Sequence, residues 1–287
     1  MPNKKNLAID ALSRALRLRK KLSIELEESV SPIEIAERLN IEVRLVDIPS
    51  MEGMYIAGSN PKIILSSLRS LGRINFTCAH EIGHHIYGHG EQFDEITSSE
   101  NIARKNDPRE FSADCFAGYL LMPKATIDSG MQRRNYSYSN LEPHELYGLS
   151  SWLGVGYTTL INHMQFGLQM INQEKSRQLL HYEPQEIRQQ IYPASSKSNL
   201  HIVDENWIGR AIDCVVGDYI LIPPNSILEG SHLELIQSTS GCFLKAKATG
   251  IAKISNQMNN WHAFIRISSP NYKGRSCYRF EEEVEEW

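Results

Sequence analysis

The run TCAHEIGHHIYGHG, residues 77–90, constrains the chain more than any other stretch, because it sets four histidines and one glutamate within ten positions. Its HEIGH core reads as helical. On a helix His80 and His84, four residues apart, share one face about a turn from each other, the spacing at which two imidazoles can hold one zinc ion. Glu81 stands beside that face, where it can reach a water at the ion without ligating the ion itself. Composition alone predicts about 0.03 such pentapeptides for this histidine and glutamate content, so the motif narrows the field without closing it.

A catalytic zinc asks for three protein ligands and one open position. Glu110, in the helical-looking EFSAD, is the third candidate. Asp114 lies four residues on, placed to bond the far ring nitrogen of a ligand histidine and so fix its tautomer. A competing reading makes Glu110 the partner of Asp107 in a D-x-x-E capping box. His85 points about 100° from His84 on an ideal helix and so cannot share its ion. A longer metzincin motif would need Gly at 87 and His at 90. The chain has Tyr87 and Gly90, so His89 reads as a polar residue near a helix C-terminus.

Composition limits what can surround this helix. The 287 residues are 41% hydrophobic, enough for a substantial core. The formal charge of -4, from 30 Lys and Arg against 34 Asp and Glu, offers no basic surplus for nucleic acid or anionic lipid. No apolar run approaches the ~18 residues of a membrane span, and the N-terminus lacks the apolar core of an export signal. Five cysteines without CxxC spacing fit reduced thiols. The expectation is a cytoplasmic protein with no membrane partner.

The order of patterns predicts an α+β fold. Residues 6–29 read as a helix whose LRLRKK charges face solvent. SPIEIAERLN follows, with Ser31 as cap and Pro32 in first position, and then the strand-like IEVRLVDI, GMYIAG and PKIILSS. The last of these, with Ile63, Ile64 and Leu65, reads as an exposed edge strand that could pair with an extended substrate. Gly88 and Gly90 stop the histidine helix. In NDPREFSADCFAGYLLMP, Asp107 caps, Pro108 opens and Pro123 ends a second helix. Residues 142–191 are helical in pattern, YPASSKSN at 192–199 reads as a linker, and β-rich texture fills the rest, through CYRFEEEVEEW. The predicted division is 1–130, a metallopeptidase-like core; 131–192, a helical segment; and 200–287, a β-rich sandwich or open barrel.

RINFTCAHEIGHHIYGH and EFSADCFAGYLLMP together resemble the two linked motifs of the ImmA/IrrE family of zinc metallopeptidases, gluzincin-like enzymes of zincin-like fold. The resemblance covers about residues 30–170. It departs from the family pattern at Ile74-Asn75 and in having Asp114 where Asn is common. It implies zinc ligands His80, His84 and Glu110, with Glu81 as general base, although the same donor set also admits Mn2+. It further implies cleavage of a helix-turn-helix (XRE-type) repressor, releasing stress, mobile-element or defence genes. IrrE-like relatives carry a C-terminal GAF-like sensor. Residues 200–287 lack the helices of one and read as a module for a small-molecule or protein effector, or for partner recognition.

No oxyanion-stabilising residue stands out; Tyr55, Tyr119 and His144 qualify by chemical type alone. ELYGLSSWLGVGYTTLINHM, residues 145–164, has a helix-turn-helix rhythm but no Lys or Arg, so direct DNA binding is not expected. Two rival functions remain in view: a non-proteolytic toxin or antitoxin component or binding partner with a structural zinc, and a DNA-binding regulator. A structural site has no use for Glu81, and the uncharged helix pair weakens the second rival.

Overall fold

A computed structural model of the chain describes residues 3–95, 107–195, 198–208, 210–258 and 260–281. The acidic end beyond 281 and part of the expected linker at 192–199 lie outside these residues. Helix α1 (Lys4–Lys21) packs on α4 (Pro108–Leu121), and α2 (Pro32–Arg38) leads into β1 (Glu42–Val46), β2 (Met51–Ile56) and β3 (Lys62–Ser66). Helix α3 (Leu71–Tyr87) carries the histidines, and β4 (Gln92–Glu95) follows it. The expected caps form: Ser31 accepts from Glu34 N–H, Asp107 accepts from Arg109 N–H, and Gly88 ends α3 in the left-handed region at φ 66°.

Helix α1 stops eight residues short of the predicted end for a reason held in its charged stretch. Arg19 is not solvated but fully buried, and its guanidinium donates to the carbonyls of Leu120 (2.8 Å), Glu25 (2.7 Å) and Glu28 (2.5 Å). Residues 22–30 wrap around that side chain instead of continuing the helix, because a buried guanidinium needs acceptors.

The first sheet has the order β13-β1-β3-β2-β4, β13 being the short strand Gly274–Arg275, which corrects the edge-strand reading. Strand β3 pairs with β1 on one side and β2 on the other, and Ile63 and Leu65 are fully buried with Ile64 half-buried. An unbroken apolar run such as IIL is what a strand covered on both sides requires. Ile63, Ile64 and Leu65 therefore cannot offer backbone to a substrate.

After α5 (Lys124–Arg133) come α6 (Pro143–Leu153), α7 (Tyr157–Asn162), a π-helical turn (His163–Gly167), α8 (Gln173–Leu180) and α9 (Pro184–Ile191). Helix α6 is buried around most of its circumference, from Leu146 through Trp152 and Leu153, and so serves as an internal strut. The remaining strands are β5 (Leu200–Ile202), β6 (Ile212–Val215), β7 (Tyr219–Ile222), β8 (Ile227–Glu229), β9 (Leu233–Ser238), β10 (Gly241–Ala246), β11 (Gly250–Asn256), β12 (Trp261–Ser268) and β13 (Gly274–Arg275). Strands β5 to β12 form two four-stranded sheets, β5-β7-β10-β9 and β6-β12-β11-β8. Alternating residues of both, including Ile220, Leu244, Ile254 and Ile265, join one apolar core with the helices of the first half.

The C-terminal strands do not stand apart. Strand β13 returns to the first sheet and pairs antiparallel with β1, Arg44 opposite Arg275. Ser276 Oγ then bonds Glu37 Oε1 at 3.1 Å, and residues 276–278 form a 3-10 turn where extended structure was expected. Among the described residues no helix is long and apolar enough to cross a membrane.

Candidate metal centre

Helix α3 lies between the first sheet and α4, and two glycines set how closely it is held. A Cβ at Gly83, the central glycine of HEIGH, would stand 3.2 Å from Ala113 Cα and 3.2 Å from Phe116 Cδ1, so this glycine lets α4 press against the motif. That contact brings Glu110 and Asp114 to the histidines. On the sheet side, a Cβ at Gly53 of β2 would meet Thr77 Cγ2 at 2.4 Å and Glu81 Oε1 at 2.7 Å. Strand β2 thus runs directly over the buried Glu81 carboxylate, a contact between sheet and helix that no local motif around Gly53 signals.

The imidazoles of His80 and His84 face each other with their Nε2 atoms 2.9 Å apart. Glu110 Oε2 is 3.4 Å from the first and Oε1 is 3.6 Å from the second. The capping-box alternative for Glu110 does not hold, because its carboxylate turns inward to this group. Ligand atoms about 2.0–2.1 Å from a tetrahedral ion stand about 3.3 Å apart, so the three donors already have the spacing of a zinc shell. At 2.9 Å the two Nε2 atoms need a proton or a metal ion between them, since two bare lone pairs would repel. Among the described residues the group has these three donors and no fourth.

The electrostatics agree. Burial opposes a charge on His80, but hydrogen bonds to Asp114 and Glu110, with the charges of Asp114 and Glu81, push its pKa up to about 10. The pocket stabilises positive charge, whether proton or metal. Both far ring nitrogens are held: His80 Nδ1 by Asp114 Oδ1 at 2.8 Å, and His84 Nδ1 by His89 Nδ1 at 2.9 Å.

His89 is therefore no bystander at the helix end. Gly88 in the left-handed region folds the chain back, His89 N–H reaches the His84 carbonyl at 3.1 Å, and the ring comes to rest beside His84. Tyr87 stacks on it at 5.0 Å, and burial lowers the His89 pKa, favouring the neutral ring. The usable signal was a histidine just after a C-capping glycine. His85 faces elsewhere, as expected, and its Nδ1 meets the Tyr55 hydroxyl at 2.7 Å. The other oxyanion candidates are committed or remote: Tyr119 donates to the Gly167 carbonyl at 3.2 Å, and His144 is exposed on α6.

Residues 36–161 match the family model of the IrrE N-terminal-like domain, peptidase family M78. No curated protein matches the chain. The matched stretch holds α3, α4 and every residue of the three-donor group. Residues 36–161 are thus similar to the IrrE N-terminal-like domain of peptidase family M78.

Proposed function

We propose that the protein is a zinc endopeptidase in which His80, His84 and Glu110 hold the ion and Glu81 is the general base. The observation that carries this reading is the convergence of the three donors, with a buried carboxylate one residue from the first ligand. A bound zinc supplies Lewis acidity, lowering the pKa of a water and polarising the scissile carbonyl. Glu81, held between α3 and Gly53, takes the proton of the attacking water and returns it to the leaving amine. Asp114 and His89 fix the two imidazoles with Nε2 toward the ion, which is how outer partners sustain metal affinity.

The substrate in this reading is a helix-turn-helix repressor of the XRE type, cut in an extended segment in the cytoplasm. Free thiols at all five cysteines support a reducing compartment. With β3 enclosed, the edge suited to an extended segment is that of β4, which pairs only with β2 among the described residues. Incubating the metal-loaded chain with the helix-turn-helix protein encoded beside its gene, with intact-mass detection, tests the reading. A single cut by the native chain and none by Glu81→Gln is expected. Equal cutting by the two forms would remove Glu81 from its role, and a stable uncut complex would favour the binding-partner alternative.

A further inference from the structure

A cavity of about 550 Å³ lies away from the three-donor group, where the first turn of α3, the turn between α6 and α7, and the C-terminal strands meet. Both acids on its wall are already matched. Asp213 takes Arg266 at 2.5 Å and Arg279 at 3.1 Å, while Asp218 accepts from Val215 N–H, the Asn199 side chain and His201. Two of the arginines that line the cavity are not. Arg210 gives Nη1 to the Trp152 carbonyl at 2.9 Å and lies over the Trp207 ring at 5.9 Å. Among the described residues it has no carboxylate at ion-pair distance. Arg188 likewise has none, and its buried Nε has no hydrogen-bond partner among them.

The Arg210 guanidinium is also fixed in place. A Cβ at Gly154 would stand 2.5 Å from its Nη2, so the fork rests directly on the α6–α7 turn. Burial lowers the Arg210 pKa, with Asp213 and Glu34 acting against the shift, which fits a cation short of counter-charge. The first turn of α3, which begins without a side-chain cap from Ser70, also lines the cavity through Leu71 and Gly72. Planar guanidinium forks suit a phosphate group. The volume exceeds what bare phosphate fills and falls within the range of small-ligand sites.

We propose that this cavity binds a small phosphate-bearing molecule of nucleotide size or less, with Arg210 and Arg188 as its charged contacts. Its occupancy is felt by the metal helix through short links. Asn75 Nδ2 of α3 donates to the Gly154 carbonyl at 2.8 Å, and a Cβ at Gly72 would strike Gly156 N at 2.8 Å. His80 follows Asn75 by five residues, about 8 Å along the helix.

This assignment does not depend on the peptidase reading, and its test reads binding, not cleavage. The metal-loaded full chain is titrated calorimetrically with AMP, inorganic phosphate and adenosine, beside Arg210→Gln and Arg188→Gln. A chain ending at Glu281 is run in parallel, so that Glu282, Glu283, Glu285 and Glu286 cannot compete for the arginines. Saturable, salt-weakened binding of AMP, none of adenosine, at least a tenfold loss in Arg210→Gln, and slower amide exchange across residues 70–76 are expected. If Arg210→Gln is poorly folded, the same loss in Arg188→Gln stands in its place. Absence of binding by both forms of the chain overturns the proposal, as does binding that survives both substitutions, which would put the anion at the metal.

Discussion

At Gly53 the backbone of β2 and the carboxylate of Glu81 share one small space, and no side chain can enter it without moving one of them. Gly53→Ala would push its methyl into Thr77 and Glu81. A displacement of about 1 Å at a proton-transferring group can cost about 100-fold in rate. The expected outcome is a loss of that order in kcat/KM with zinc affinity within a few-fold of the native chain; unchanged turnover would show that Glu81 need not sit there. His89→Phe should do the reverse, weakening zinc about 10- to 100-fold by releasing the His84 ring. Competition with a chelating dye would read both. His80, Glu81 and His84 were legible in the sequence because helical periodicity alone sets their relation. Gly53 and His89 were not, since one acts across a sheet–helix contact and the other through a reversal at Gly88.

Among the elements, helix starts were plain wherever a cap and a proline coincided, as at Ser31-Pro32 and Asp107-Pro108. Helix ends governed by tertiary acceptors were not, and Arg19 shows why: a basic residue in a charged run looks solvated until three carbonyls close on it. The π-helical turn after α7 has a similar anchor. His163 Nε2 donates to the Met122 carbonyl at 3.0 Å, linking that turn to the end of α4. Burial pushes the His163 pKa down from 6.5 to about 4. Below pH 6.5 the unfolded chain therefore binds a proton that the folded chain refuses. The stability from the neutral ring is full above that pH and is lost as the pH falls toward 4, by an amount on the order of 3 kcal/mol. Urea midpoints measured from pH 7 to 4 should fall less steeply for His163→Gln than for the native chain. Parallel acid flanks would remove His163 from the account.

Taken whole, the molecule is organised by a chain that comes back to its start. An α+β fold with β-rich texture after residue 200 was legible from alternation and turn residues. The pairing of β13 with β1 was not, because two residues of strand carry no periodic signal and their partner lies over two hundred positions away. Removal of residues 270–287 should therefore do more than trim an end. It uncovers β1 and strips Asp213 of Arg279 and Asp47 of Lys273, and a fall of about 2 kcal/mol or more in unfolding free energy is expected. A truncated chain with the native urea midpoint would show the return strand to be dispensable. The same closure puts the arginine-lined cavity against the first turn of α3, so a ligand held by the C-terminal strands would touch the helix that carries the metal.

The most direct test of the central claim is the zinc content of the purified chain after loading and dialysis, measured by elemental mass spectrometry for the native form, Glu81→Gln and Glu110→Gln. One zinc per chain in the first two and a large loss in the third are predicted, since Glu81 stands outside the donor group and Glu110 completes it. Full zinc retention by Glu110→Gln, or none in the native chain, would contradict the account.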